Sequence, residues 1–165
     1  MIRFIEPKDY EKCLDIYNYY ILNTSISFEI KKLSLEEYTN KINTIIKKYP
    51  FLVYEANNEI LGFAYLDEFN FREAYKTTAD LTIYLKPTSI NKGIGSMLYN
   101  SIEKIAIKNN IFLIISLITK SNIISQEFHK KNGFSFLTTI DNVAYKNNKW
   151  ESLSYYQKRI KEIGE

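Results

Sequence analysis

With 165 residues, 45% apolar and 25% charged, the chain is sized for one globular domain that buries most of its apolar surface without a metal or disulfide staple. Its 22 basic and 19 acidic residues are interspersed and leave a net charge of +3, which argues against nucleic-acid and membrane partners, since these need a basic face or block. The single cysteine, Cys13, excludes an intramolecular disulfide and a cysteine-cluster metal site; its place among apolar residues reads as a helix core position rather than a reactive thiol.

Met1–Pro7 lacks the long apolar core of a signal peptide, and no apolar run approaches the roughly 20 residues of a membrane span, so a cytoplasmic location is expected. Ile2–Ile5 alternates like a short strand, and Pro7 sits where the first turn of a helix tolerates it. Leu14, Ile16, Tyr17, Tyr20 and Ile21 recur at helical spacing and predict an amphipathic helix over roughly 8–22. Ser34 with Glu37 forms a capping box for a second helix, which reaches about Lys48 before Pro50 closes it. Phe51–Ala56 and Ile60–Asp67 are apolar runs joined by Asn57-Asn58-Glu59, a hairpin signal. An irregular aromatic segment, Glu68–Lys76, leads into the strand-like Thr77–Leu85, which Pro87 stops.

Gly93 and Gly95 then open a helix with Met97, Leu98, Ile102, Ile105 and Ala106 on one side. Phe112–Ile118 is a continuous apolar strand of the kind covered on both faces. Asn122–Lys131 reads as a shorter helix capped at Gly133, and Phe134–Tyr145 and Trp150–Gln157 as two last strands around Asn147-Asn148. Without repeats or linkers, the order β α α β β β α β α β β predicts a single α/β domain over 1–165, built around a mixed sheet.

The stretch from Leu81 to Ser96 carries the chemistry. A buried strand ends, a polar loop follows, and Gly93-Ile94-Gly95 leads into a helix. Glycines let backbone approach a ligand, the unpaired N–H groups of a first helical turn point outward, and the helix dipole and Lys92 add positive charge. Such a cradle suits a pyrophosphate, although a glycine pair at a helix start also serves plain turn chemistry. It is neither a Walker loop nor a dinucleotide fingerprint, which would need a third glycine at Leu98.

The strand, loop and helix resemble the acyl-CoA motif of the GNAT-type N-acetyltransferases, Gln/Arg-x-x-Gly-x-Gly/Ala, here Ile90-Asn91-Lys92-Gly93-Ile94-Gly95. Downstream, Asn122 to Phe134 resembles the family's Asn-x-x-Ser-x-x-Leu-Tyr/His-x-x-x-Gly-Phe helix. Nearly the whole chain, from about residue 2 to 157, is similar to the phosphinothricin and methionine sulfone acetyltransferase branch. Ile16-Tyr17-Asn18, Asn23-Thr24, Ser27-Phe28, Thr78 to Pro87 and Tyr145 to Trp150 carry that likeness. The resemblance implies a GNAT-like domain with a mostly antiparallel, twisted sheet of about seven strands and about four helices. It also implies acetyl-CoA as cosubstrate, no metal, a small amino-acid-like amine as acceptor, and a homodimer. Acetylation of protein or peptide N-termini, or a catalytically weak acyl-CoA sensor, are the alternative readings.

By the same resemblance, backbone groups of Ile83, Tyr84 and Leu85 hold the pantetheine arm. The N–H groups of Asn91, Lys92, Gly93, Ile94, Gly95 and Ser96 take the pyrophosphate, and Asn122 bonds the pantetheine unless it serves only as a helix N-cap. Asp80 stands where the branch carries a catalytic Glu. A carboxylate in an apolar strand has its pKa raised by burial and can accept the amine's proton, or it can be a structural hydrogen-bonding group. His129 falls where the family's Tyr or His acts as general acid to the CoA thiolate, with plain packing as the alternative; Ser125 and water are competing donors. Phe28, Arg72, Tyr75 and Lys146 are the candidate walls of the acceptor pocket, where a basic group would meet an acidic substrate. The chain departs from the branch at three places. Asp80 is one methylene shorter than Glu, Ile90 replaces the loop's Gln or Arg, and Asn70 follows Phe69 where the branch has Arg, leaving Arg72 as the nearest base.

Overall fold

A computed structural model describes residues 1–162, so the last three residues of the expected domain, 163–165, lie outside the described residues. The elements follow in the expected order: β1 (Ile2–Phe4), α1 (Tyr10–Asn23), α2 (Leu35–Ile45), β2 (Phe51–Ala56), β3 (Glu59–Glu68), β4 (Thr78–Leu85), α3 (Ile94–Lys108), β5 (Leu113–Thr119), α4 (Ile123–Lys131), β6 (Ser135–Lys146) and β7 (Lys149–Arg159). Local chemistry accounts for several boundaries. Ser34 Oγ accepts the Glu37 N–H at 3.2 Å while a Glu37 carboxylate oxygen accepts the Ser34 N–H at 2.7 Å, closing the capping box. Asn57-Asn58 and Asn147-Asn148 both have positive φ at each residue, the geometry of a two-residue hairpin turn that matches strand twist. Pro7–Asp9 forms a 3-10 turn instead of the first turn of α1, so that helix begins at Tyr10. Here Asp9, almost wholly buried, accepts from the two terminal nitrogens of the Arg3 guanidinium at 2.6 and 2.9 Å. Burial works against the Asp9 charge, but the Arg3 and backbone bonds outweigh it and hold the carboxyl below its usual range.

The seven strands form one sheet in the order β1-β2-β3-β4-β5-β7-β6, with β4 and β5 parallel and every other neighbour antiparallel. Side chains alternate between the two faces, and each face has its own core. On one, α1 and α2 cover Phe51, Val53, Phe63 and Tyr65, with Tyr17, Tyr38 and Ile42 between. On the other, α3 covers Leu52, Ala64, Leu66, Ala79 and Leu81 through Leu98, Tyr99, Ile102 and Ala106.

One irregularity at the sheet centre positions the site. β4 pairs with β3 from Ala79 opposite Glu68 to Leu85 opposite Gly62. Its pairing with β5 stops after three rungs, the last being Asp80 opposite Ile115. Beyond Asp80 the strands part, β5 continuing beside β7 and β4 beside β3. Polar backbone groups of β4 that face β5 past this point have no ladder partner, and a wedge opens with Asp80 at its apex.

Candidate active site

Asp80 sits between two faces of chemistry. By strand alternation it shares the α1/α2 face with Thr82 and Tyr84, while Ala79 and Leu81 point to the α3 side. Its register partner on β3 is Asp67, so two carboxyl groups stand opposite each other on the sheet. Burial, then the neighbouring Asp67 charge, push the Asp80 carboxyl up to about 7, opposed only by the Leu81 N–H. A carboxyl poised there is half ionised at neutral pH and suited to take a proton.

At the wide end of the wedge, the β4–α3 loop turns back on the sheet. Asn91 and Gly93 both have positive φ, 63° and 78°, and Gly93 is the N-cap of α3. This reversal sets successive N–H groups pointing the same way. The N–H of Met97 bonds Gly93 O at 3.1 Å, whereas those of Asn91 through Ser96 meet no acceptor among the described residues. Gly95 is needed for close approach: a Cβ there would lie 3.2 Å from the Phe128 ring of α4 and 3.7 Å from Leu85. The fit to a pyrophosphate therefore rests on six unsatisfied donors at a helix N-terminus. Ile90, exposed to neither solvent nor core entirely, adds no polar atom to them.

On β4, the Leu85 carbonyl accepts the Tyr20 hydroxyl at 2.7 Å, tying the strand's end to α1. Ile83 and Leu85 pack toward α3, and Tyr84 packs against Tyr17, Tyr20 and Phe63. Asn122 caps α4, its Oδ1 accepting the Ser125 N–H at 3.2 Å. Beside it a cleft of about 300 Å³ opens between the 24–26 segment and the start of α4.

His129 lies elsewhere. Its ring packs against Phe134, Phe128 and Tyr156 in the core on the α3/α4 side, so the sheet separates it from the Asp80 side chain. Nδ1 is 2.7 Å from the Ser125 carbonyl, an acceptor only, which assigns the proton to Nδ1 and leaves Nε2 bare, buried and without a partner. Burial lowers its pKa to about 4 against the pull of that hydrogen bond, so the ring is neutral at pH 7. A neutral imidazole whose one proton is held by a carbonyl is not placed to act as the expected general acid. Ser125 Oγ, 3.4 Å from Nδ1 and half-buried, remains on the first turn of α4.

The expected acceptor-pocket residues divide. Phe28 is half-buried beside Ser27, whose carbonyl accepts Lys146 Nζ at 2.6 Å. Lys146 is only 4% exposed, so it braces the α1–α2 connection and does not present a cation to a pocket. Arg72 and Tyr75 are exposed on the 69–76 segment. The Arg72 guanidinium stacks on Phe71, its carbon 4.9 Å from the ring centre, and Tyr75 meets Phe69 edge-on. Four residues on the Asp80 face escape a reading of the sequence. Asp67 becomes visible only through β3–β4 register. Thr82 and Tyr65 form the adjoining rung, and Lys41 reaches the same face from α2, with its Nζ 5.9 Å from the Tyr65 ring centre. A signal for Lys41 did exist: it interrupts the apolar stripe Tyr38, Ile42, Ile45 at helical spacing.

A cradle of free N–H groups, a split parallel pair and a raised carboxyl at the split are features that a coenzyme A-dependent acyltransferase would use. The chain belongs to the GNAT acetyltransferase family: the Acetyltransferase (GNAT) domain matches residues 2–152. It is thus an acetyl-CoA-dependent acetyltransferase. Among its relatives, the phosphinothricin N-acetyltransferase of Streptomyces viridochromogenes is 26% identical over 157 residues, covering 95% of this chain and 86% of that protein. The L-methionine sulfoximine/L-methionine sulfone acetyltransferase of Salmonella typhimurium is 23% identical over 165 residues, covering 98% and 95%. In fold, the chain superposes on an N-acetyltransferase from Staphylococcus aureus Mu50 with a TM-score of 0.95, at 31% identity and 98% coverage of both chains. Among the described residues no group of three His, Cys, Asp or Glu side chains could hold a metal, and no helix is long and apolar enough to cross a membrane.

Proposed function

We propose that this acetyltransferase acts on the primary amine of a small amino-acid-like molecule, with Asp80 as the base. Acetyl-CoA supplies an acyl group already activated as a thioester, so the chain's own task is to hold it and to deliver a free amine. The N–H groups of Asn91 to Ser96 cradle the pyrophosphate, helped by Lys92. The unpaired edge of β4 around Ile83 and Tyr84 receives the pantetheine, and Asn122, whose Oδ1 is taken by the Ser125 N–H, offers it the amide N–H groups. The Asp80 carboxylate, directly or through one water, accepts a proton from the incoming ammonium, whose nitrogen lone pair is then free to form the amide bond as the carbon–sulfur bond breaks. Ser125 or solvent returns a proton to the departing thiolate. The observation that carries this reading is the position of Asp80: the apex of the wedge is where a thioester lying along β4 would meet an amine coming from the α1/α2 face. Relatives named for phosphinothricin and methionine sulfone support an amino-acid-like acceptor.

The test is a thiol-release assay with acetyl-CoA against phosphinothricin, methionine sulfone, methionine sulfoximine and peptides with free N-termini. Turnover on an amino-acid analogue is the expected result. Turnover on peptides alone, or acetyl-CoA binding with none at all, overturns the reading.

His129 is left out of this proton path, and a variant separates packing from chemistry. His129→Ala removes a ring wedged among three aromatics, and is expected to destabilise the fold by about 2–4 kcal/mol, as large-to-small core changes do. Its kcat, measured below the melting temperature, should fall by no more than about threefold, against the 10²-fold or more typical of losing a true general acid.

A further inference from the structure

Lys41 faces the same side of the sheet as Asp80 and takes no part in the proton path. It is half-buried on α2 between Tyr38 and Ile45, both nearly inaccessible. Its Nζ lies 5.1 Å from the Tyr17 ring centre and 5.9 Å from that of Tyr65, with the Tyr65 hydroxyl as its hydrogen-bonding neighbour and no carboxylate within 4.0 Å among the described residues. A surface lysine normally extends into water and an inner one pairs with an anion. This ammonium does neither; the faces of Tyr17 and Tyr65 and the Tyr65 hydroxyl hold it beside the site.

Sheet register sets its distance from the base. Tyr65 stands opposite Thr82, and the next rung on the same face is Asp67 opposite Asp80. Two residues of strand advance about 7 Å. The face therefore carries two carboxyl groups at one end and one ammonium at the other. An α-amino acid has the complementary charges: its ammonium matches Asp67 and Asp80, its carboxylate matches Lys41. About 3 Å separates amine nitrogen from carboxylate oxygen in such a molecule, and two hydrogen bonds of about 2.8 Å extend the span to about 8–9 Å. The other candidate cations fit less well, because Lys146 is buried against the Ser27 carbonyl and Arg72 stacks on Phe71 in an exposed loop.

We propose that Lys41 is the specificity residue that binds the α-carboxylate of the acceptor, so that the substrate is a free α-amino acid or close analogue and not a plain amine or an amino acid amide. The inference rests on the acetyl-transfer reading above and deepens it. Kinetics of wild type, Lys41→Met and Lys41→Arg with acetyl-CoA would compare L-methionine sulfone with its carboxamide. Wild type is expected to prefer the carboxylate. In Lys41→Met the KM for L-methionine sulfone should rise about 10–100-fold, the worth of a charge-assisted bond. KM for acetyl-CoA should stay unchanged and the preference over the carboxamide should vanish, while Lys41→Arg should keep part of it. A purely structural lysine would lower the melting temperature and leave the carboxylate-to-carboxamide ratio untouched in Lys41→Met, and that result overturns the proposal. Calorimetric titration of L-methionine sulfone into the CoA-bound protein keeps the two readings apart. Binding that depends on Lys41 without acetyl transfer refutes the acetylation reading and supports the carboxylate site. Transfer with Lys41→Met indifferent refutes the carboxylate site alone, as does failure of L-methionine sulfone to bind wild type.

Discussion

Replacing Asp80 by Asn is expected to lower kcat by about 10²–10⁴-fold, the usual worth of a positioned general base, with KM for acetyl-CoA little changed. The substitution keeps the shape of the side chain and removes only its capacity to accept a proton. In the wild type, kcat should fall about tenfold per pH unit below about 7, because burial and Asp67 place the Asp80 carboxyl there. In Asp80→Asn that limb should disappear, and a profile still bending near 7 would assign it to another group. Stability should move the other way. The folded carboxyl titrates near 7 and the unfolded one near 3.8, so the folded state holds the extra proton between those values. Its contribution is fully present below pH 4 and is lost as pH rises through 7, by at most about 4 kcal/mol at 1.36 kcal/mol per unit. Asp80→Asn escapes this loss, and should melt several degrees higher than wild type at pH 8.5 but not at pH 4. His129 opposes it over almost the same window. Its pKa is lowered from 6.5 to about 4, so its contribution is present above 6.5 and lost as pH falls through 4. The wild type should thus show a flat melting temperature between about pH 4 and 6.5, and Asp80→Asn should uncover the acid sensitivity of His129. A carboxyl raised by burial and an imidazole lowered by it hide one another in a stability measurement.

Ser96→Asp should raise KM for acetyl-CoA by about 10–100-fold without lowering the melting temperature. Ser96 is the third residue of α3, and its N–H is one of the six donors with no acceptor. A carboxylate in the first turn of a helix interacts favourably with the dipole, by about 0.3–1 kcal/mol, so the helix itself should gain. A pyrophosphate brought to the same N–H groups would meet a like charge within a few ångströms, where each pair of charges is worth on the order of 1–4 kcal/mol depending on exposure. Opposite signs for folding and binding distinguish an anion cradle from simple turn chemistry. Raised salt should narrow the KM difference between variant and wild type, because Asn91, Lys92 and Gly93 are exposed and charges beside them are screened. An unchanged KM would leave the pyrophosphate somewhere other than the start of α3.

Much of this protein is legible in the order of its residues. The eleven helices and strands follow from apolar spacing, the Ser34–Glu37 box, the Asn-Asn turns and the punctuation of Pro50, Pro87, Gly93 and Gly133. These are signals between residues a few positions apart, and local backbone preference is enough to decide them. The cradle is legible for the same reason, since strand, loop, glycines and helix are contiguous. The elements shifted at their ends where tertiary contacts intervened, as when Arg3 drew Asp9 into a 3-10 turn ahead of α1. What surrounds the chemistry came only with the tertiary structure. Asp67 meets Asp80 through antiparallel register, the wedge exists because β4 and β5 part after three rungs, and Lys41 arrives from a helix about forty residues upstream. His129 matches a family motif in sequence, yet alternation across the sheet and aromatic packing put it on the face opposite the Asp80 side chain. Facing, register and burial are properties of chain segments brought together from a distance, and no short-range pattern encodes which polar group will lose its water or gain a charged neighbour.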